Sequence, residues 1–228
     1  MIRPGRSFLR RAISSLSIAK KPHHFIRLNK EFKSDLAWWA TFAEGWNGTS
    51  IIINPEQQKI ELTSDASGSW GCGAWSGQKW FQAEWDDASR QKCIAVKELV
   101  PIIIAAVIWG PEWKGQLVCA HCDNKAVVDV LGSRSCKDRD LMQLLRSLFF
   151  LEATYQFQLS AIHIAGADNE LADDLSRNKV QHFREKAVYM NTLPSPVPDL
   201  LLQWLLKSCH DWSSQSWIQQ FISFVARE

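Results

Sequence analysis

Between Lys59 and Trp85 the sequence carries three short alternating segments in close succession, and that pattern limits the fold more than any other. From Ile60 to Ser67, Ile60, Leu62, Ser64 and Ala66 fall on one side of an extended chain. Glu61, Thr63, Asp65 and Ser67 fall on the other. Gly68-Ser69 turns the chain. Gly71–Ser76 and Lys79–Trp85 then read as two more strands, split by Ser76-Gly77-Gln78. Three consecutive strands with tight turns predict an antiparallel start.

Beyond Trp85 the period changes. Ser89 to Trp109 is apolar and helical in pattern, with Gly110-Pro111 as its stop and Pro101 inside it, which predicts a kink or irregular turn. Gln116–Cys122 reads as a fourth strand and Asn124–Leu131 as a short helix. Asp138–Thr154 is an amphipathic helix, with Leu141, Leu144, Leu145, Leu148 and Leu151 at three/four spacing. Gln156–Ile164 alternates as a fifth strand, and a loop containing Gly166 leads into a helix from Asn169 to about Arg177. The order β-β-β-α-β-α-α-β-α implies an α/β fold built on a mixed five-stranded sheet flanked by helices.

The flanks divide by charge. Residues 1–34 hold nine Lys/Arg and one acid, a net of +8, whereas the remaining 194 carry −6, so the overall +2 averages two unlike pieces. A basic arm on an acidic body suits a polyanionic partner; it is equally the pattern of a solvated leader. The arm also has the Arg- and Ser-rich composition of a mitochondrial transit peptide, without the long apolar core of a secretory signal. A helix capped near Ser34 would bring Asp35, Trp38, Trp39 and Phe42 together, and Asn47-Gly48 and Asn54-Pro55 punctuate a loop. Pro194, Pro196 and Pro198 mark a linker before an apolar helical tail. The chain therefore divides into three parts: 1–56, a basic Trp-containing extension; 57–177, the sheet domain; 178–228, linker and tail.

The longest apolar stretch, Leu99–Trp109, is too short for a bilayer helix of about 20 residues. Six cysteines without a tight framework point to a reduced, intracellular protein. Cys119 and Cys122, with His121 between them, lie on a strand that would point them to opposite faces. They read as small buried residues rather than metal ligands.

Four acids occupy unusual places. Asp65 lies in the first strand, Glu98 in the first long helix, Asp123 at the end of the fourth strand and Asp173 in the last helix. Glu98 shares a helix face with Ile94, Ile102 and Ala105, a face that must pack on the sheet. A carboxylate buried there needs a cation or hydrogen bonds. Asp123 ends a strand where α/β sheets bind ligands. Any one of these acids alone would be an ordinary surface or capping residue. Four on separate elements, able to converge at one sheet end, repel each other unless hard divalent cations neutralise them.

Thr63-Ser64-Asp65-Ala66-Ser67, Lys97-Glu98-Leu99, Cys122-Asp123-Asn124 and the run from His163 to Arg177 (H-I-A-G-A-D-N-E-L-A-D-D-L-S-R) resemble the ribonuclease H domain of retroelement reverse transcriptases. The resemblance covers residues 57–177. The flanks, including Pro22–Leu28, Ser34–Trp39 and Trp46-Asn47-Gly48, look like the connection region of DIRS-type, tyrosine-recombinase retrotransposons. The run from Pro194 to Trp217 looks like the segment on the C-terminal side of the domain in those elements. The polymerase motif Tyr-x-Asp-Asp is absent from the sequence.

The resemblance implies a ribonuclease H-like fold and metal-dependent hydrolysis of the RNA strand of RNA–DNA hybrids. Two Mg²⁺ ions, with Mn²⁺ able to substitute, would be held by Asp65, Glu98, Asp123 and Asp173. His163 would assist proton transfer and product release; it could equally be a satisfied edge histidine. Ser67, Gly68, Asn124 and Asn169 would contact substrate, Asn169 alternatively capping the last helix. Asp168 is a lesser ligand candidate and Asp174 a bystander. The implied partners are the hybrid and the polymerase region of a parent polyprotein, with no membrane, in cytoplasm or nucleus rather than mitochondrion. Two features depart from cellular ribonucleases H: Pro101 comes soon after Glu98, and the short segment after Leu131 omits their basic hybrid-gripping helix. The alternative is a catalytically silent remnant that binds nucleic acid or packs within a larger protein. A transposase or integrase fits less well, because its acids run Asp, Asp, Glu.

Overall fold

The computed structural model describes residues 6–19, 21, 23–42 and 59–206. Two compact units are present: residues 1–51 with 209–228, and residues 52–208. In the first, α1 (Arg6–Leu16) and α2 (Lys30–Phe42) are joined by Arg11, whose guanidinium donates to Asp35 Oδ1 at 3.0 Å. Helix α2 starts a turn before the cap expected at Ser34. The Asn29 side chain accepts from the Phe32 amide at 2.7 Å, which supplies the N-terminal hydrogen bond that the sequence pattern assigned to Ser34. The loop expected near 45–55 and most of the apolar tail lie outside the described residues.

The second unit is a five-stranded sheet of order β3-β2-β1-β4-β5. Its strands are β1 (Lys59–Ala66), β2 (Gly71–Ser76), β3 (Lys79–Glu84), β4 (Leu117–Cys122) and β5 (Gln158–His163). β1–β2 and β2–β3 pair antiparallel, while β1–β4 and β4–β5 pair parallel, so the sheet is mixed as the element order implies. The second half of β1 is buried on both sides rather than on alternate residues. Helices on both faces remove the alternation that a half-exposed strand would show.

The single long helix expected from Ser89 to Trp109 is two helices. Asp86 caps α3 (Asp87–Arg90), accepting from the Ser89 amide at 2.7 Å, and the chain then breaks before α4 (Ile94–Ile108). Helix α4 continues through Pro101, and every residue from Val96 to Ile108 is buried. It packs on β1 and β2 and beneath α6 (Arg139–Tyr155). Ile94, expected on the packed face with Glu98, is exposed because it opens the first turn at the helix end.

A buried ion pair organises the other side. Arg134 ends α5 (Lys125–Ser133) in the left-handed region at φ 56°. Its guanidinium grips both Glu152 oxygens at 2.7 and 2.8 Å, and Glu152 Oε1 accepts from the Leu159 amide at 2.7 Å. One pair thus ties α5, α6 and β5. Such geometry satisfies the buried charges, and removing either partner would strand the other.

The stretch 178–208, read from sequence as linker and the start of the tail, belongs to the same compact unit. It includes α8 (Val180–Lys186) and α9 (Leu201–Leu206), after α7 (Glu170–Ser176). Phe183, Ala187 and Met190 pack with Trp80 and Leu175. Trp80 Nε1 donates to the Asn191 carbonyl at 2.8 Å, the Asn191 amide to the Gln78 carbonyl at 2.8 Å, and the Ser195 amide to the Trp80 carbonyl at 2.7 Å.

Gly73 lets α7 lie on β2: a Cβ there would come within 2.4 Å of Leu175 Cβ and 3.1 Å of the Phe81 carbonyl. Gly132, in α5, faces open space. Gly73→Ala is expected to cost ~1–3 kcal/mol by overpacking. Gly132→Ala is expected to stabilise by ~0.4–1 kcal/mol through the unfolded chain. Denaturant melts of the two variants should therefore move in opposite directions.

Candidate active site

Asp65 sits near the carboxyl end of β1, opposite Gly73 across the β1–β2 pair. It is buried. The Asn169 amide donates to its Oδ1 at 3.3 Å and to the Ser64 carbonyl at 3.1 Å, and Ser176 hydrogen-bonds to it from the end of α7. Burial raises its pKa to about 6; Asp123 and Asp173 push the same way, and Ser176 and Arg177 oppose them. Glu98 projects from α4 and is buried beside β1. Its Oε2 has no hydrogen-bond partner, while the Ala66 backbone hydrogen-bonds to the carboxylate. Burial first, then Asp65 and Asp123, raise its pKa to about 9.

Asp123 stands just past β4 at the same sheet end. Its carboxylate lies with Glu98 and the Cys122 thiol in a group whose ligand atoms are all within 4.8 Å of one another. A Cβ on Gly166 would meet Asp123 Oδ2 at 3.4 Å, so that glycine keeps the carboxylate's flank open. Asp173, on α7, is a third exposed. Arg177 Nε donates to its Oδ1 at 2.5 Å, and Lys179 Nζ stands 3.8 Å from Oδ2. That contact with Asp173 raises the Arg177 pKa. Glu98 and Asp123 bring ligand atoms within 4.8 Å of each other, and α4 and α7, which carry Glu98 and Asp173, both pack on β1, which carries Asp65, so the four acids gather at one locus.

The other expected residues divide. His163, exposed at the end of β5, places Nε2 3.0 Å from the Asp123 carbonyl. Gly68 is exposed, and its carbonyl accepts from the buried Lys97 at 2.6 Å. Ser67, expected to contact substrate, is buried. Its Oγ donates to the Gly71 carbonyl at 3.1 Å and accepts from the Trp70 and Gly71 amides at 3.0 Å, so it shapes the turn. Asn124 caps α5, accepting from the Ala126 and Val127 amides. Asn169 makes no helix cap and is only 1% exposed; it holds Asp65 instead of facing solvent. Asp168 is exposed. Asp174 is buried, with Oδ2 2.6 Å from His182 Nδ1, and anchors α8.

Cys122, Lys97, Ser176 and Arg177 were not expected at the site from the sequence. For Ser176 and Arg177 a signal was present: they stand three and four residues after Asp173, the spacing that shares a helix face.

Buried, mutually repelling carboxylates fit divalent cations. The donor set at the locus is rich in hard oxygens, and Glu98 Oε2 is an unpartnered buried acceptor.

No protein-family model and no curated protein matches the chain. Among solved structures, ribonuclease H1 from the halophilic archaeon Halobacterium salinarum NRC-1 aligns at 14% identity. That alignment covers 55% of this chain and 99% of that one, with a TM-score of 0.41. The prototype foamy virus protease–reverse transcriptase aligns at 14% identity over 68% of this chain, with a TM-score of 0.31; the chain spans 21% of that polypeptide. The fold class stands on the chain's own strand order, mixed pairing and helix placement, and is ribonuclease H-like α/β.

The raised Glu98 pKa has a stability consequence. Below 4.5 the carboxyl is protonated in both folded and unfolded chains. As pH climbs from 4.5 towards 9 the folded state retains a proton that the unfolded state has lost, and stability falls. In chelator, the wild-type melting temperature should drop across that range, and Glu98→Gln should flatten the drop. At the alkaline end the variant should be the more stable, each ~1 kcal/mol regained being worth about 2–4 °C. Scanning calorimetry at several pH values measures both slopes.

Proposed function

We propose that residues 57–177 form a metal-dependent endonuclease that hydrolyses the RNA strand of RNA–DNA hybrids. We further propose that the chain is part of a reverse transcriptase polyprotein of a DIRS-type retrotransposon, acting in cytoplasm or nucleus beside a polymerase region. The observation that carries the reading is the convergence of Asp65, Glu98, Asp123 and Asp173 from four elements, with Glu98 Oε2 buried and unpartnered.

In this reading the four carboxylates hold two Mg²⁺ ions, or Mn²⁺ in their place. When bound, these supply an activated water and charge for the leaving 3′ oxygen of a phosphodiester displacement. The chain's own residues prepare that step. Asn169 and Ser176 fix the Asp65 carboxylate. Burial of Glu98 keeps water away from one side of the locus and aims an acceptor into it. Arg177 balances the charge of Asp173 and leaves it partly open to solvent. His163, exposed beside Asp123, is placed to hold or pass a proton at its imidazole. Gly68 offers an open backbone surface next to β1. Contacts to sugar and phosphate carry no base information, and a 2′-hydroxyl separates RNA from DNA, so cutting should be hybrid-specific and sequence-tolerant.

The test is incubation of the full chain with an end-labelled RNA–DNA hybrid and Mg²⁺ or Mn²⁺. The RNA strand should be cut, and Asp65→Asn and Glu98→Gln should each lower the rate at least ~10²-fold while circular dichroism stays native. Equal cutting by those variants would sink the site assignment. A wild-type chain that binds hybrid without cutting it, even with a polymerase region restored, would leave the silent binding module as the correct reading.

A further inference from the structure

A second cluster of ligand-type side chains lies on the sheet, separate from the carboxylate locus. Glu61 on β1 and Cys119 on β4 are directly paired in the parallel register, and His121 is two residues further along β4. The strand's period of two puts Cys119 and His121 on one face, while Cys122 goes to the other and to the group with Glu98 and Asp123. One carboxylate oxygen, one ring nitrogen and one sulfur here lie within 4.8 Å of one another. His121 Nε2 is 2.5 Å from Glu61 Oε2. Cys119 is buried, His121 half-buried and Glu61 exposed, so the cluster has a floor and an open side. The two groups share no residue.

We propose that Glu61, Cys119 and His121 form a zinc site that staples β1 to β4. The chemistry selects the ion: a thiolate, an imidazole and a carboxylate together suit borderline-soft Zn²⁺, whereas Mg²⁺ takes oxygens. Three protein ligands leave the fourth tetrahedral position to water on the exposed side. The contact between Glu61 Oε2 and His121 Nε2 marks the place a cation would take. Binding releases the Cys119 thiol proton and takes the His121 nitrogen in its unprotonated form. The charges around Cys119 are Glu61, which favours a cation, and Lys59, which opposes one; the Ser160 side chain hydrogen-bonds to the thiol. Glu61 and Cys119 come together only in the folded chain, so the ion would also stabilise the fold. The zinc site does not depend on the nuclease reading.

The test is Co²⁺ titration of the full chain, stripped with chelator and held in excess Mg²⁺ to saturate the oxygen-donor locus. One equivalent should bind with a thiolate-to-cobalt charge-transfer band, and Zn²⁺ should bleach it. Cys119→Ser should remove the band. His121→Gln and Glu61→Gln should each weaken binding about tenfold or more. Cys93→Ser and Cys136→Ser should keep the band, and so should Asp65→Asn, whatever its effect on hybrid cleavage. A wild-type chain without the band overturns the proposal, as does a band that survives Cys119→Ser or disappears with Cys93 or Cys136. If Cys119→Ser fails to fold by circular dichroism, unchanged affinity in both His121→Gln and Glu61→Gln overturns it.

Discussion

Repulsion among buried carboxylates is the constraint around which the sheet unit is arranged. Asp65 and Glu98 are both nearly water-free, and burial is the first cause of their raised proton affinity; Asp65 adds to it at Glu98, and Asp123 and Asp173 add to it at both. A fold optimised for stability alone would not place them so. The surroundings compensate piecemeal. Asn169 donates to Asp65, Ser176 lowers its pKa from the end of α7, and Arg177 and Lys179 stand by Asp173. Glu98 receives the least relief, and its orphan oxygen is the clearest sign that the arrangement serves something other than packing.

The rigid parts supply the tolerance for this. Helix α4 is buried along almost its whole length, and a helix so enclosed can carry one costly carboxylate near its start. The same enclosure lets it run through Pro101, whose missing amide would break a marginal helix. The Arg134–Glu152 pair fixes the far side, where the chain passes from α5 to α6 and on to β5. Thus the helix that follows Asp123 and the strand that ends at His163 are joined to one another away from the charged locus.

Much of the architecture was legible in the sequence because it is written in local periodicity. The strands, the turns at Gly68 and Gly77, α6 and the order of elements all arise from patterns within a few residues. The acids were legible as a set because each ended or interrupted such a pattern. The illegible parts depend on partners distant in sequence or on side-chain direction. The break before α4 rests on Asp86 capping a separate turn, with Lys92 paired to Asp140 of α6. Asn169 turns inward to a residue 104 positions away, and Ser67 spends its hydroxyl inside its own turn. Neither choice leaves a trace in composition. The packing of residues 180–195 was hidden for a related reason: three prolines suggest a spacer, yet the contacts that fix the chain come from Trp80 and Gln78.

That last segment also protects a border of the sheet. β3 ends the sheet, and an uncovered terminal strand offers unpaired amides and carbonyls to any other chain that can extend beside it. Here the Gln78 and Trp80 carbonyls are taken by the chain's own Asn191 and Ser195, and the Trp80 ring lies under Phe183 and Met190. The stretch after Arg177 therefore acts as a guard against strand-to-strand association. A fragment cut at Arg177 would keep all four acids but expose a sticky border, and would tend to polymerise rather than remain a single molecule.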